Sequence, residues 1–277
     1  MRTTLYKAIS VALVAFVAIM ASVTAAHGAD SKTTARACWD AGIEAYSNKD
    51  YAAAVEAFEN IVALDYASAE VYYNLANAYF RLGQQRTNGA RNYSNGELGQ
   101  AVLNYERALK LDPTMENARY NLDIAKELTN DTEAVPEGFI TRVWRTLAGG
   151  LTTNAWATIS LVMLFMTVVL ALVYLLHSSL ALRKVAFSLA VVSLLVFILS
   201  TALSLTQLSA VTDDSRAVIV VNDTTPVHAS PDSGSKIIRQ PSQGVTVVVE
   251  RVEDDWTEVR FADGEEGWVR TSSVEVI

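Results

Sequence analysis

Two runs without a single Asp, Glu, Lys or Arg, 156–177 and 185–208, constrain this chain more than any other feature. About 20 apolar residues at 1.5 Å per residue cross the roughly 30 Å hydrocarbon core of a bilayer. Backbone groups in lipid must bond within their own segment, so both runs are expected to be transmembrane helices. The short connection between them carries only Arg183 and Lys184 as charges. A hairpin is therefore expected, with both of its outer ends on one side of the membrane.

The chain opens on a third apolar block. Arg2 and Lys7 precede the run Ala8 to Val23, and the small-residue segment TAAHGAD comes next. Positive charge, apolar core and small residues in that order make a secretory signal, expected over 1–29. Cleavage after Gly28 fits the small-x-small rule, and cleavage after Ala26 or Ala29 is also compatible. Left uncleaved, the segment would be an anchor helix; either way, the region from residue 30 to the first span is exported. The Arg183–Lys184 turn then lies in the cytoplasm, as the positive-inside tendency prefers. Arg142 and Arg145, before the first span, tie the charge count, so the signal decides the direction. Just ahead of the first span, Phe139, Ile140, Val143, Trp144 and Leu147 share one helical face. An amphipathic helix over 137–150 is expected, lying in the headgroup layer or packed on the preceding domain.

The net charge of -8 resides in the polar stretches, and an acidic surface repels phosphate backbones, which excludes nucleic acid as a partner. Cys38 is the one cysteine, so there is neither a disulfide framework nor a cysteine metal site. His27, His177 and His228 fall in segments that the topology separates, which prevents a shared metal centre. No nucleophile elbow, phosphate-cradling loop or zinc-protease helix occurs. A chain without catalysis, cofactor or metal is the expectation.

Between the signal and the spans, segments starting near Cys38 and Tyr72 are similar at an offset of 34 residues. Tyr72, Leu75, Ala76 and Tyr79, then Ala101, Tyr105, Ala108 and Pro113, carry the spacing; Gly42, Ala54, Phe58 and Asp65 supply the earlier copy. Small residues at fixed positions let two antiparallel helices approach, and large ones fill the groove between them. Over about residues 35–130 this resembles the tetratricopeptide family. Repeats are expected at 30–68 and 69–115, the second interrupted by an exposed inserted loop at 84–96, with a capping helix at 116–131. Cys38 stands in the large-aromatic position of the first repeat, and Tyr66 replaces its terminal proline. The resemblance implies a concave partner-binding surface made of Trp39, Ile43, Tyr46, Tyr73, Asn74, Asn77, Arg81, Tyr120 and Asn121. Only Asn74 coincides with the Lys, Arg and Asn clamp that some family members close on a carboxylate, so no such clamp is expected.

From Ala217 the pattern switches to period two. AVIVVND, GVTVVVERV, WTEVRF and EGWVR read as strands between turns, and about five short strands suit a small barrel. Trp256, Gly264, Gly267 and Trp268 resemble a bacterial SH3-like domain over 216–277. The resemblance gives these four structural roles, the glycines at tight turns and Trp268 closing the barrel core. The loop TPVHASPDSGS lacks the arginine usual before its small-residue turn.

The fold class is thus a multidomain membrane protein: an all-α tetratricopeptide domain, a transmembrane helical hairpin and a small all-β SH3-like barrel. In that order the parts resemble the BatE-type proteins of bacterial aerotolerance (Bat) operons. The resemblance implies a bacterial inner-membrane scaffold or adaptor with both soluble domains periplasmic. Its implied partners are von Willebrand factor A-type Bat proteins and, indirectly, a MoxR-type ATPase. The alternative is a cell-wall sensor whose SH3-like domain binds peptidoglycan peptides.

Overall fold

A computed structural model of the chain describes residues 31–87, 93, 96–129, 139–212, 215–221 and 225–277. The expected signal at 1–29 lies outside the described residues, as does much of the inserted loop.

Five helices come first: α1 over 31–47, α2 at Tyr51–Ala63, α3 at Ala69–Arg86, α4 at Glu97–Leu111 and α5 at Glu116–Glu127. Local chemistry starts two of them. The Asp50 carboxylate accepts from the Ala53 N–H at 3.2 Å to open α2, and the Ser68 hydroxyl accepts from the Val71 N–H at 3.3 Å to open α3. One core gathers Ala54, Phe58 and Ile61 of α2 with Leu75, Ala78 and Leu82 of α3. A second joins Ala101, Tyr105 and Ala108 of α4 to Ala76 of α3 and to Ala118 and Leu122 of α5. Helix α3 runs into the stretch expected to be loop from 84, because Gln84 to Arg86 continue its turns. Tyr93, expected in an exposed loop, is instead buried, packing its ring against Phe80 at 6.2 Å.

Helices α6 (Phe139–Ala148), α7 (Thr153–Leu176) and α8 (Leu180–Thr212) come next. The last two are long and apolar enough to cross a membrane. No residue of α7 is buried, and Leu161, Phe165 and Leu175 are each more than two-thirds exposed. A continuous apolar surface of that kind needs a non-aqueous neighbour. Toward α7, helix α8 presents Ala186, Ser193, Ser200 and Gln207, all buried and seven residues apart. That heptad spacing keeps one narrow seam on the partner. Small hydroxyl residues there permit close approach and bond across it: Ser193 Oγ donates to the Met163 carbonyl at 2.8 Å, and Ser160 and Thr201 share a 2.7 Å bond. The turn is His177 to Ser179 alone. Arg183 and Lys184, expected in the turn, belong to the first turns of α8, where the Arg183 guanidinium lies 5.0 Å from the Tyr174 ring. Long cationic side chains reach water from inside a helix end, so they did not stop it.

Helix α6 attaches to the outer end of this hairpin rather than to the helical domain. Trp144 Nε1 donates to Thr206 Oγ1 at 3.3 Å, and Trp156 Nε1 donates to the Ala148 carbonyl at 3.0 Å. Val143 and Leu147 stay exposed.

The C-terminal part is one antiparallel sheet of seven strands in the order β3-β2-β6-β5-β4-β1-β7. The strands are β1 Arg216–Ile219, β2 Val227–His228, β3 Ile237–Arg239, β4 Thr246–Glu253, β5 Trp256–Arg260, β6 Glu266–Arg270 and β7 Val274–Val276. Its core holds Ala217, Ile219, Val227, Val247, Val259, Phe261 and Val269. Successive residues of a strand face opposite ways. Ala217 and Ile219 therefore enter this core, while Val218 and Val220 join the α4 core of the helical domain. The unbroken apolar run AVIVV has its cause here: one strand serves two cores.

Candidate functional site

Helices α3, α4 and α5 leave a groove of about 470 Å³ between them, closed at one end by α1. Tyr46, Tyr73, Asn77, Arg81, Tyr120 and Asn121 line it, so six of the nine residues named for the concave surface share one space. Trp39, Ile43 and Asn74 do not line it. Trp39 sets its ring edge-on to Phe58 at 5.8 Å, in the core between α1 and α2. Ile43 is partly exposed outside the groove. Asn74 turns back on its own helix, its Nδ2 donating to the Glu70 carbonyl at 2.8 Å.

Four lining residues went unnamed by sequence reasoning: Phe80, Gln84, Tyr105 and Ile124. Phe80 and Gln84 lie at helical spacing from Asn77 and Arg81, a signal present in the α3 sequence. Ile124 relates to Tyr120 and Asn121 in the same way on α5. Tyr105 comes from α4, the helix expected to stand behind the inner ones. Its ring nonetheless reaches the floor, 6.2 Å from Tyr73.

The floor is a small hydrogen-bond network. Asn77 Oδ1 accepts from the Tyr105 hydroxyl at 2.6 Å and from Asn121 Nδ2 at 2.9 Å. Both lone pairs of that oxygen are thereby engaged, which fixes the amide and turns its NH₂ elsewhere. Burial pushes the Tyr105 pKa well above the ordinary tyrosine value, so it stays a protonated donor. Arg81 is the one ionic side chain of the lining, its Nη1 donating to Gln84 Oε1 at 3.0 Å. A wall of four tyrosine rings, an amide network and a single cation suits an extended peptide with acidic or aromatic side chains.

Behind this groove the sheet is bound to α4. Gly99 allows the contact: a Cβ there would meet Val220 Cα and the Ile219 carbonyl, both at 2.9 Å. The Gly99 N–H donates to Gln243 Oε1 at 3.1 Å, and Gln243 Nε2 donates to the Tyr93 carbonyl. Further along α4, Gln100 Nε2 donates to Glu275 at 2.7 Å, and Arg107 Nη2 donates to the Val276 carbonyl at 2.6 Å. Glu106, almost fully buried, takes both the Lys126 ammonium and the Arg216 guanidinium, the latter at 3.0 Å. Burial alone would raise its pKa, but the two cations outweigh it and hold the carboxyl below the usual range.

On the sheet, Trp268 is buried but stands outside the cluster of Val259 and Val269. It stands between Gly267 and Val269, and it is Val269 that faces inward. Trp268 and Trp256 lie on the opposite face and are buried there under other side chains. The His228 ring meets Trp256 edge-on at 5.1 Å, Arg270 covers Trp256 at 4.3 Å, and Arg251 covers Trp268 at 5.1 Å. Gly267 is required because a Cβ would come within 2.5 Å of Val227 Cγ1, and Gly264 adopts φ +88° in the β5–β6 turn.

Compared with known families, residues 223–275 match the model described as the bacterial SH3 domain. The C-terminal sheet is therefore a bacterial SH3 domain, reached through two helices of membrane-spanning length. No curated protein matches the chain.

Proposed function

We propose that the chain is a non-catalytic, membrane-anchored scaffold that binds an extended segment of a partner protein in the groove between α3 and α5. The observation that carries this reading is the groove itself, with its fixed amide floor, its tyrosine walls and its single cation. We read α1 to α5 as two tetratricopeptide repeats and a cap, a fold suited to such recognition because stacked helices offer a broad rigid surface. The order of parts supports membership of the BatE type, with von Willebrand factor A-type Bat proteins as partners, and a MoxR-type ATPase acting through them.

Location is part of the reading. The helical domain precedes the first span and the SH3 domain comes after the second, yet they share a core. Such packing is compatible with two crossings only if both lie on one side, and we take that side to be the periplasm from the signal expected over 1–29. Copurification from native membranes tests the scaffold. The wild type is expected to retain envelope proteins, and the Tyr120→Ala, Arg81→Ala double variant is expected to lose them while remaining in the membrane. Recovery of the same proteins with both would defeat the reading.

The bacterial SH3 match favours a second reading, a sensor that binds peptidoglycan peptides. Retention of the full chain on purified cell wall, lost on replacing His228, would support it over the scaffold.

A further inference from the structure

The helical domain, α6, the outer end of the hairpin and the SH3 domain converge on a cavity of about 370 Å³. Its walls are mainly apolar: Leu109 of α4, Trp144 and Ala148 of α6, Ala210 and Val211 of α8, and Ile277. Polar groups enter from the soluble side, where Arg216 stands against Glu106 at 3.0 Å and Lys110 Nζ donates to the Ile277 main-chain oxygen at 2.7 Å. Glu106 also has Lys126 as a partner, so its charge is more than matched. Arg216 gives one nitrogen to Glu106, and its side chain remains about half exposed. A guanidinium has five N–H donors in a fork that fits a phosphate.

Position identifies the occupant. Thr153, the first residue of α7, and Gln207 on the last turns of α8 also line the space. It lies at the depth where the apolar helices end, beside two indoles that donate to Thr206 and Ala148. Tryptophan with a polar tip is characteristic of the headgroup boundary. At that depth the neighbouring solvent is lipid, and an apolar wall rimmed by cations complements an anionic amphiphile. Resting on the reading that α7 and α8 cross the bilayer, we propose that this cavity is a binding site for one anionic phospholipid. Its phosphate pairs with Arg216, and its upper acyl segment lies against Trp144, Ala210 and Val211. The lipid would then brace the joint between the membrane hairpin and the two soluble domains.

The full chain in nanodiscs containing a photoactivatable phosphatidylglycerol tests this. Label is expected to concentrate on residues 106–113, 144–149, 206–212 and 215–216 over the rest of the lipid-exposed faces. Ala210→Trp, which fills the cavity from an exposed position, is expected to lower that label at least fivefold, and Leu161→Trp on the far lipid face leaves it unchanged. Arg216→Gln is expected to abolish the preference for the phosphatidylglycerol probe over a phosphatidylcholine probe. An even distribution of label that neither cavity variant alters overturns the site. Release of the chain from membranes by alkaline carbonate overturns the spanning reading as well, which keeps the two failures apart.

Discussion

At the start of α4 the first N–H groups have no helical partners, and Gly96 brings no side chain to cap them. Gln243 takes the Gly99 N–H from a position 144 residues further on. Gln243→Leu would leave that buried donor without an acceptor, at a cost of about 1–3 kcal/mol. The expected outcome is a lower melting temperature of the detergent-solubilised chain, with amide exchange accelerating first at the N-terminal turn of α4. Glu106 makes a pH prediction. Its folded pKa lies below the unfolded value, so its contribution is complete above about pH 4.3 and is lost as pH falls through the folded value. Amide exchange across the α4–β1 contact is therefore expected to quicken in acid, and Glu106→Gln should flatten that acid limb. A wild-type contact indifferent to acidification from neutral pH to well below the carboxylate range would contradict the ion-pair assignment.

Among the elements, the hairpin seam makes the clearest prediction. Ser193→Ala removes a cross-helix bond worth on the order of 0.6 kcal/mol in a membrane, whereas Ser193→Leu places a branched side chain where the helices touch. Forced unfolding in bilayers should show a small loss for the first and a separated hairpin for the second. Both apolar runs were legible in the sequence because length and lack of charge are one-dimensional properties. Their ends were not: α8 begins at Leu180, ahead of Arg183 and Lys184, since a charge at a helix terminus can reach water without ending the helix. In the sheet, β4, β5 and β6 were legible as short apolar runs between turns, although the alternation of β4 is imperfect. β2 and β3 have two and three residues, too few for a period to register, and exist through their pairing. Family resemblance could not say which face each tryptophan takes, and Trp268, though buried, stands outside the cluster of Val259 and Val269. Six groove residues came from family resemblance. Tyr105 escaped because its part depends on how far α4 tilts its ring past α3, a property of packing alone.

For the molecule as a whole, the question is whether its two arms act together. Reporter fusions after residues 130 and 277 are expected to report the same extracytoplasmic side; opposite sides are incompatible with the shared α4–β1 core. A cysteine pair placed across that contact, at Gln100 and Glu275, whose side-chain tips meet at 2.7 Å, is expected to be joined by a short bifunctional thiol reagent in intact membranes. The Gln243 cap also has a consequence in time. A ribosome emits the chain from one end, and α4 leaves it long before residue 243 exists. During that interval the helical arm waits with an open helix start and with the apolar flank meant for Val218 and Val220 uncovered. Its maturation therefore waits on a stretch synthesised much later, and a chaperone with an appetite for exposed greasy helices would find its client in that window.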